Sequence, residues 1–422
     1  MQQRPKAYPE RVVGFVPDHL GFGSHEGVDI FKAQASGLES FLAIRSPRGA
    51  CYSQENAAGV GGSCDRILDI VRVTPQNGPE QQFELWTQDE MGSGVLVQNR
   101  GKTHPEGEVV FRLPFAAKSG FLTSSEVSYA DAEHTILVLS ARDATNERSF
   151  LWVFDISDPE KPLEPFLTDA PENFLISARP TVFKTAEAGV GIALGGSSGQ
   201  AGAIRFVFLN ESRTSEQLTV GGEALSFIVA ASITQQAFVE RLYVADSNHL
   251  WAVAISDLSH VSPCLLAEAA ISAMPQVVLD GTGPGVRLYF LGTVLQTQGL
   301  WMLQDDLQTQ HKHVLPEQVL SGDYNAVVVR FGRLLLIPAA FHSDPLVINL
   351  PDHLQLPVVW RSLGSMGVVS NEQERVRFAR VLWDPEEQRE VLWLISQGCQ
   401  LNLWTARPHA DKYGRNAWRK TK

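Results

Sequence analysis

Four cysteines are scattered along the 422 residues. Two of them, Cys51 and Cys64, flank a loop rich in small residues, Ala57-Ala58-Gly59-Val60-Gly61-Gly62-Ser63, which is supple enough to close as a disulfide ring. Across so short a loop a bridge would stabilise the fold by roughly 3 kcal/mol in the chain-entropy account. Two unrelated thiols are the other reading, and the residue types leave both open. Cys264 and Cys399 read as strand or strand-edge residues, with no Cys or His nearby at metal-ligand spacing. His311 and His313 share a face if their segment is a strand, yet they can hold a metal only with partners from elsewhere. Together with Asp305-Asp306 they read as solvated loop and turn. Gly195-Gly196-Ser197-Ser198-Gly199 lacks the Gly-x-Ser-x-Gly order of a nucleophile elbow and reads as a hairpin tip. No Gly-rich loop ends in the Lys-Ser/Thr pair that a phosphate cradle requires.

The elements that must position these residues are hairpins. Glu240 to Ile255 is the clearest: Leu242 and Val244 alternate with Tyr243 and Ala245, Asp246-Ser247-Asn248-His249 supplies turn chemistry, and Leu250 to Ile255 starts a second apolar run. Asp246 and Asn248 can bond their own backbone, and Trp251 is suited to filling the space between packed sheets. The same phrase recurs at Thr135–Ala141 with Phe150–Ile156, Gly191–Gly196 with Ile204–Leu209, Arg287–Gly292 with Gly299–Leu303, Arg333–Ile337 with Leu346–Leu350, and Glu390–Ile395 with Gln400–Trp404. The first-strand anchors Ile136, Ile192, Leu242, Leu288, Leu334 and Val391 are spaced about 46 to 57 residues apart, within the range of propeller repeats.

Further short runs, Pro180-Thr181-Val182-Phe183 and Pro275 to Leu279, bring each period to about four strands. One four-stranded sheet cannot bury both faces, whereas a ring of such sheets buries all of them. The expectation is an all-β fold, a modified β-propeller of seven or eight blades spanning residues 1–422 as one domain, with 407–422 as a flexible tail. The amino-terminal quarter (Val12–Val16, Val28–Ala33, Phe41–Ile44, Ile67–Val73, Phe83–Trp86, Val95–Val97) is the least regular.

Composition narrows the partners. Hydrophobic residues make up 44% and charged residues 19%, ordinary for a packed globular chain. No apolar run reaches the length of a membrane span. A net charge of −12, with basic residues clustered only at Arg415 to Lys422, argues against nucleic acid and anionic membranes. Met1-Gln2-Gln3-Arg4-Pro5 has no apolar run behind it, so the chain as given carries no secretory signal.

Several phrases in order also resemble a family. Leu151 to Pro159, Ala178-Arg179-Pro180-Thr181-Val182 leading into Gly191 to Gly195, Arg241 to Trp251, and Ile271 to Val278 followed by Leu288 to Thr293 are similar to the carboxy-terminal propeller of PilY/PilC-type proteins of bacterial type IV pili. The resemblance covers residues 130 to 305 well and the flanks weakly. It implies a quinoprotein-like, seven-bladed, non-enzymatic domain of a longer exported protein, placed in the periplasm, outer membrane or cell surface at the pilus tip. There it would support pilus assembly and surface attachment, with minor pilins, other tip components and a host or abiotic surface as partners. The family's calcium loop falls here on Ile233 to Glu240, where Glu240 is the one carboxylate. Six to eight oxygens are needed, so no calcium is expected there and no cofactor elsewhere.

Two alternatives belong to other classes. A quinoprotein-like enzyme would need a stacking Trp, a carboxylate-bound calcium and an Asp converging at the axis. Trp152, Trp251, Trp301 and Trp404, however, recur at one blade position suited to packing between blades. A cytosolic scaffold would keep Cys51 and Cys64 reduced. For a binding protein the working surface is the hairpin tips: Arg142 to Ser149, Gly195 to Gly202, Thr293 to Gly299 and the Cys51–Cys64 loop.

Overall fold

Each apolar hairpin read from the sequence is the central pair of an antiparallel meander. The computed structural model describes the backbone of the strands named below, their shorter connections chiefly between 104 and 255, and the side chains of most residues in 68–303. Strands β1 (Glu10–Val12), β2 (Asp29–Gln34) and β3 (Ser40–Arg45) come first, then the meander β4 (Asp65–Val73), β5 (Gln81–Gln88), β6 (Gly94–Arg100), β7 (His104–Arg112). Next are β8 (Ala117–Tyr129), β9 (Ala132–Asp143), β10 (Ser149–Asp155), β11 (Pro165–Asp169), followed by β12 (Phe174–Ile176), β13 (Thr181–Thr185), β14 (Gly189–Ser198), β15 (Ala201–Phe208), β16 (Glu216–Thr219). Then come β17 (Phe227–Ala231), β18 (Arg241–Ala245), β19 (His249–Ala254), β20 (Pro263–Ile271), and β21 (Gln276–Leu279), β22 (Val286–Val294), β23 (Thr297–Asp305), β24 (Gln310–Val314). The chain continues through β25 (Tyr324–Arg330), β26 (Arg333–Pro338), β27 (Leu346–Asn349), β28 (Val359–Ser362), and β29 (Val376–Asp384), β30 (Arg389–Ser396), β31 (Leu401–Ala406). A hairpin of β32 (Pro408–Ala410) and β33 (Asn416–Trp418) lies in the stretch expected as a tail.

The meanders are arranged in a ring. Their inner strands touch in cyclic order: β4 meets β8, β8 meets β13, β13 meets β17, β17 meets β21, β21 meets β25, β25 meets β29, and β29 returns to β4. The ends close the same ring, because β3 pairs with β31, with Ala43 opposite Trp404, in the sheet β1-β2-β3-β31-β30-β29. Closure covers sheet edges that would otherwise template aggregation. The fold is all-β, a β-propeller. Among the described residues no helix is long and apolar enough to cross a membrane.

Side-chain alternation explains why the hairpins were visible as continuous apolar runs. A strand sandwiched between two sheets is buried on both faces, so its odd and even residues feed different cores. In β9, Leu137, Leu139 and Ala141 pack with Leu68, Phe83 and Leu85 of the preceding meander. Ile136 and Val138 pack with Ile192 and Leu194 of the next. In β18, Leu242 and Val244 join Ile204 and Phe206, whereas Tyr243 and Ala245 join Leu288 and Phe290. Trp152, Trp251 and Trp301 are buried in these seams, each with residues of the preceding meander. Trp404 pairs with Leu392 in register, and its side chain lies outside the described residues.

The amino-terminal region is more regular than its sequence. Strands β4 to β7 form an ordinary four-stranded meander, but register shifts between Ile67 and Asp69, Leu96 and Val97, and Gln98 and Arg100 break the alternation. Buried polar residues break it further. Gln82 Nε2 and Trp86 Nε1 donate to the Glu84 carboxylate at 2.6 and 3.0 Å, and Gln98 Nε2 donates to Gln81 Oε1 at 2.8 Å. All of these polar side chains are buried, as satisfied polar groups in a core are.

Candidate binding site on a hairpin rim

Two of the tips expected to form a working surface come together at one rim. The β9–β10 tip carries its own Asx turns: Asp143 Oδ1 accepts from Thr145 N at 2.7 Å and Asn146 Oδ1 from Arg148 N at 3.1 Å. Glu147 takes a positive φ of 57° and its carboxylate is clamped between Lys118 and Arg142, the Arg142 Nη2 contact being 2.8 Å. These two cations, Lys118 first, hold the exposed Glu147 carboxyl below its ordinary value. The β14–β15 tip is a two-residue turn with Ser198 opposite Ala201. Gly199 holds the left-handed φ of 61° at its first position, as such turns favour.

The third wall is the connection from β11 to β12, where Asn173 takes a φ of 57°, a conformation Asn tolerates better than most residues. Together Asn146, Glu147, Arg148, Pro171, Glu172, Asn173, Phe174, Leu175 and Gly199 line a cavity of about 630 Å³. Phe174 and Pro171 are buried. Bonds between adjacent meanders fix the walls: Ser149 Oγ accepts from Ile176 N at 2.8 Å, and Arg205 grips Asp169 with Nε at 2.7 Å and Nη2 at 3.1 Å. A paired fork of this kind sets orientation as well as distance.

Other residues singled out in the sequence lie elsewhere. Cys51, Cys64 and the stretch Ile233 to Glu240 fall outside the described residues, as does part of the tip Thr293 to Gly299. His311 and His313 sit in β24, opposite Gln304 and Met302 of β23. Cys264 is an exposed free thiol on β20. Among the described residues no group of three or more His, Cys, Asp and Glu side chains is arranged to hold a metal. Asp246 is the buried hub of its turn, accepting from Asn248 N at 2.7 Å, His249 N at 2.6 Å and Glu223 N at 2.7 Å. Its carboxylate holds these backbone amides, as the turn chemistry predicts, and the His249 imidazole Nδ1 lies 3.2 Å from both of its oxygens.

At the opposite rim, beyond the far end of β9, rings stack: Tyr129 lies 4.3 Å from His134 and 5.5 Å from Phe166, centroid to centroid. Burial, and then the Asp155 charge, raise the Tyr129 phenol above its ordinary value. Partial burial works to raise Asp155, but hydrogen bonds from Ser157 and His134 prevail and hold it below 3.8. A depressed folded-state pKa stabilises above the unfolded value and is lost as pH falls through the lower folded value. Urea midpoints taken from pH 5 down to pH 2 should therefore decline less steeply for Asp155→Asn than for the parent. Parallel declines would show that this carboxylate is uncoupled from folding.

No family model matches the chain, and no curated protein matches it. Among solved structures, the WD40 domain of SCAP from fission yeast aligns with a TM-score of 0.45 and 8% identity over 94% of this chain and 95% of that one. A Mycobacterium tuberculosis puromycin-hydrolyzing peptidase aligns at 0.42 and 13% over 92% of this chain, which spans 59% of that protein's length. The six-bladed fucose-recognising lectin of Aleuria aurantia aligns at 0.37 and 11%, over 73% of this chain and 98% of that one. At TM-scores below 0.5 these likenesses carry no functional argument, and the β-propeller assignment rests on the ring of meanders itself.

Proposed function

We propose that the chain is a non-enzymatic binding module, a seven-bladed propeller that acts at the tip of a type IV pilus in pilus assembly and surface attachment. The observation that carries the binding part is the cavity lined by the β9–β10 and β14–β15 tips with the connection between them. Recognition commonly sits on loops held by a rigid scaffold, and pockets favour junctions between packed units. The pilus part is supported by the motif order at 151–159, 178–195, 241–251 and 271–293, and it brings with it export and pilus-tip partners. Deletion of the gene should lower the number of surface pili and the attachment of cells. Restoring the parent gene should recover both. Unchanged piliation and attachment in the deletion strain would overturn the reading. Export is checked separately on protein taken from the cell envelope: an intact mass lower by two hydrogens and restored by reductant shows a bridge, and a non-reduced peptide map that joins Cys51 to Cys64 locates it.

A further inference from the structure

We infer that the rim cavity takes a neutral sugar residue, the exposed end of a surface glycan; this rests on the reading of that rim as the working surface. Charge is the first argument. Lys118 and Arg142, the two cations that pair with Glu147, stand outside the lining, whose other charged residues are one cation, Arg148, and one anion, Glu172. Neither enters an ion pair among the described residues. A strongly anionic ligand, such as a sulfated or sialylated chain, would meet two carboxylates, Glu147 and Glu172, against the one cation on the lining itself.

Hydrogen-bond inventory is the second argument. The Asn146 carbonyl is engaged by Arg148 N, so its amide NH2 is left as a donor. Asn173 offers both a donor and an acceptor, Arg148 only donors, Glu172 only acceptors. A lining of interleaved donors and acceptors suits groups that do both, which is what the vicinal hydroxyls of a pyranose supply. Leu175, half-buried on the lining, adds apolar surface against which the C–H face of such a ring can lie. Size is the third argument: about 630 Å³ falls within the roughly 300–1,000 Å³ of small-ligand pockets. The cross-meander bonds from Ser149 and Arg205 hold the walls in place before binding, and preorganisation of this kind reduces what ordering costs on association.

The test uses the full chain and saturation-transfer NMR with the methyl glycosides of galactose, glucose, mannose and fucose, alongside sialic acid and a sulfated disaccharide. At least one neutral glycoside should bind, and Arg148→Ala and Glu172→Ala should each weaken it at least tenfold. Both variants should keep the parent's thermal midpoint, since both side chains are exposed. Phe166→Ala, at the opposite rim, should bind as the parent does. Binding of the anionic probes alone, no binding of any neutral glycoside, or neutral binding that survives Arg148→Ala/Glu172→Ala would overturn the sugar assignment. If the glycosides fail while the chain still restores attachment to the deletion strain, the sugar alone falls. If attachment is not restored either, the binding-module reading falls with it.

Discussion

Arg179→Ala should destabilise the protein by roughly 3–5 kcal/mol, the cost typical of removing one partner from a buried ion pair. Asp69, on β4, is fully buried. Its Oδ2 accepts from Leu122 N at 2.7 Å and from Arg179 Nη1 at 2.5 Å, and its Oδ1 accepts from Arg179 Nη2 at 3.2 Å. Arg179 Nη1 also donates to Leu122 O at 2.7 Å. The pair therefore joins three successive meanders: Asp69 on β4, Leu122 on β8, and Arg179 in the break between β12 and β13. Removing the guanidinium withdraws a charge partner from a carboxylate that water cannot reach. The double variant Asp69→Leu/Arg179→Met should cost less than Arg179→Ala alone, because it deletes both charges and refills the space. Urea unfolding of the single and double variants measures this directly. A loss under about 1 kcal/mol for Arg179→Ala would mean that Asp69 finds other compensation in the fold.

Gly196→Ala should cost about 2–3 kcal/mol, an overpacking effect at the strong end of its usual range. Gly196 lies in β14 opposite Ile176 of β12. A methyl at this position would meet the backbone carbonyl of Leu175 within clash distance. Backbone cannot rotate aside as a side chain can, so the β12–β14 pairing would have to open. Because β12 also carries Phe174 and Leu175, the rim cavity should loosen as well. Gly199→Ala is the contrast. Nothing lies near its added methyl, and the strain is confined to a φ of 61°, worth about 1–2 kcal/mol. Comparable chemical-denaturation losses in the two variants would remove the steric explanation.

The hairpins β9–β10, β14–β15, β18–β19 and β22–β23 were legible because both of their strands are buried on both faces. Continuous apolar runs with polar tips follow from that burial, and so does the Trp at the start or middle of the second strand in several of them. Asp246 was legible for a local reason as well, since a carboxylate beside Ser-Asn-His can satisfy the next two or three amides without help from elsewhere. The strand at β11 was not legible: its alternating half-exposed residues carry no distinctive pattern. The break between β12 and β13 was visible only as the Pro180 boundary, although it is what releases Arg179 towards Asp69.

Chain order alone determined that this protein is built from repeated four-stranded units with polar tips, and that such units must stack to cover their apolar faces. Tertiary structure decided which residues meet. Asp69 and Arg179 stand 110 positions apart, β3 finds β31 from opposite ends of the chain, and the rim cavity draws on two hairpin tips and a connection. Local periodicity records only which face a residue takes. The partner on that face is set by closure of the ring, in which every sheet must bury its surface against the next.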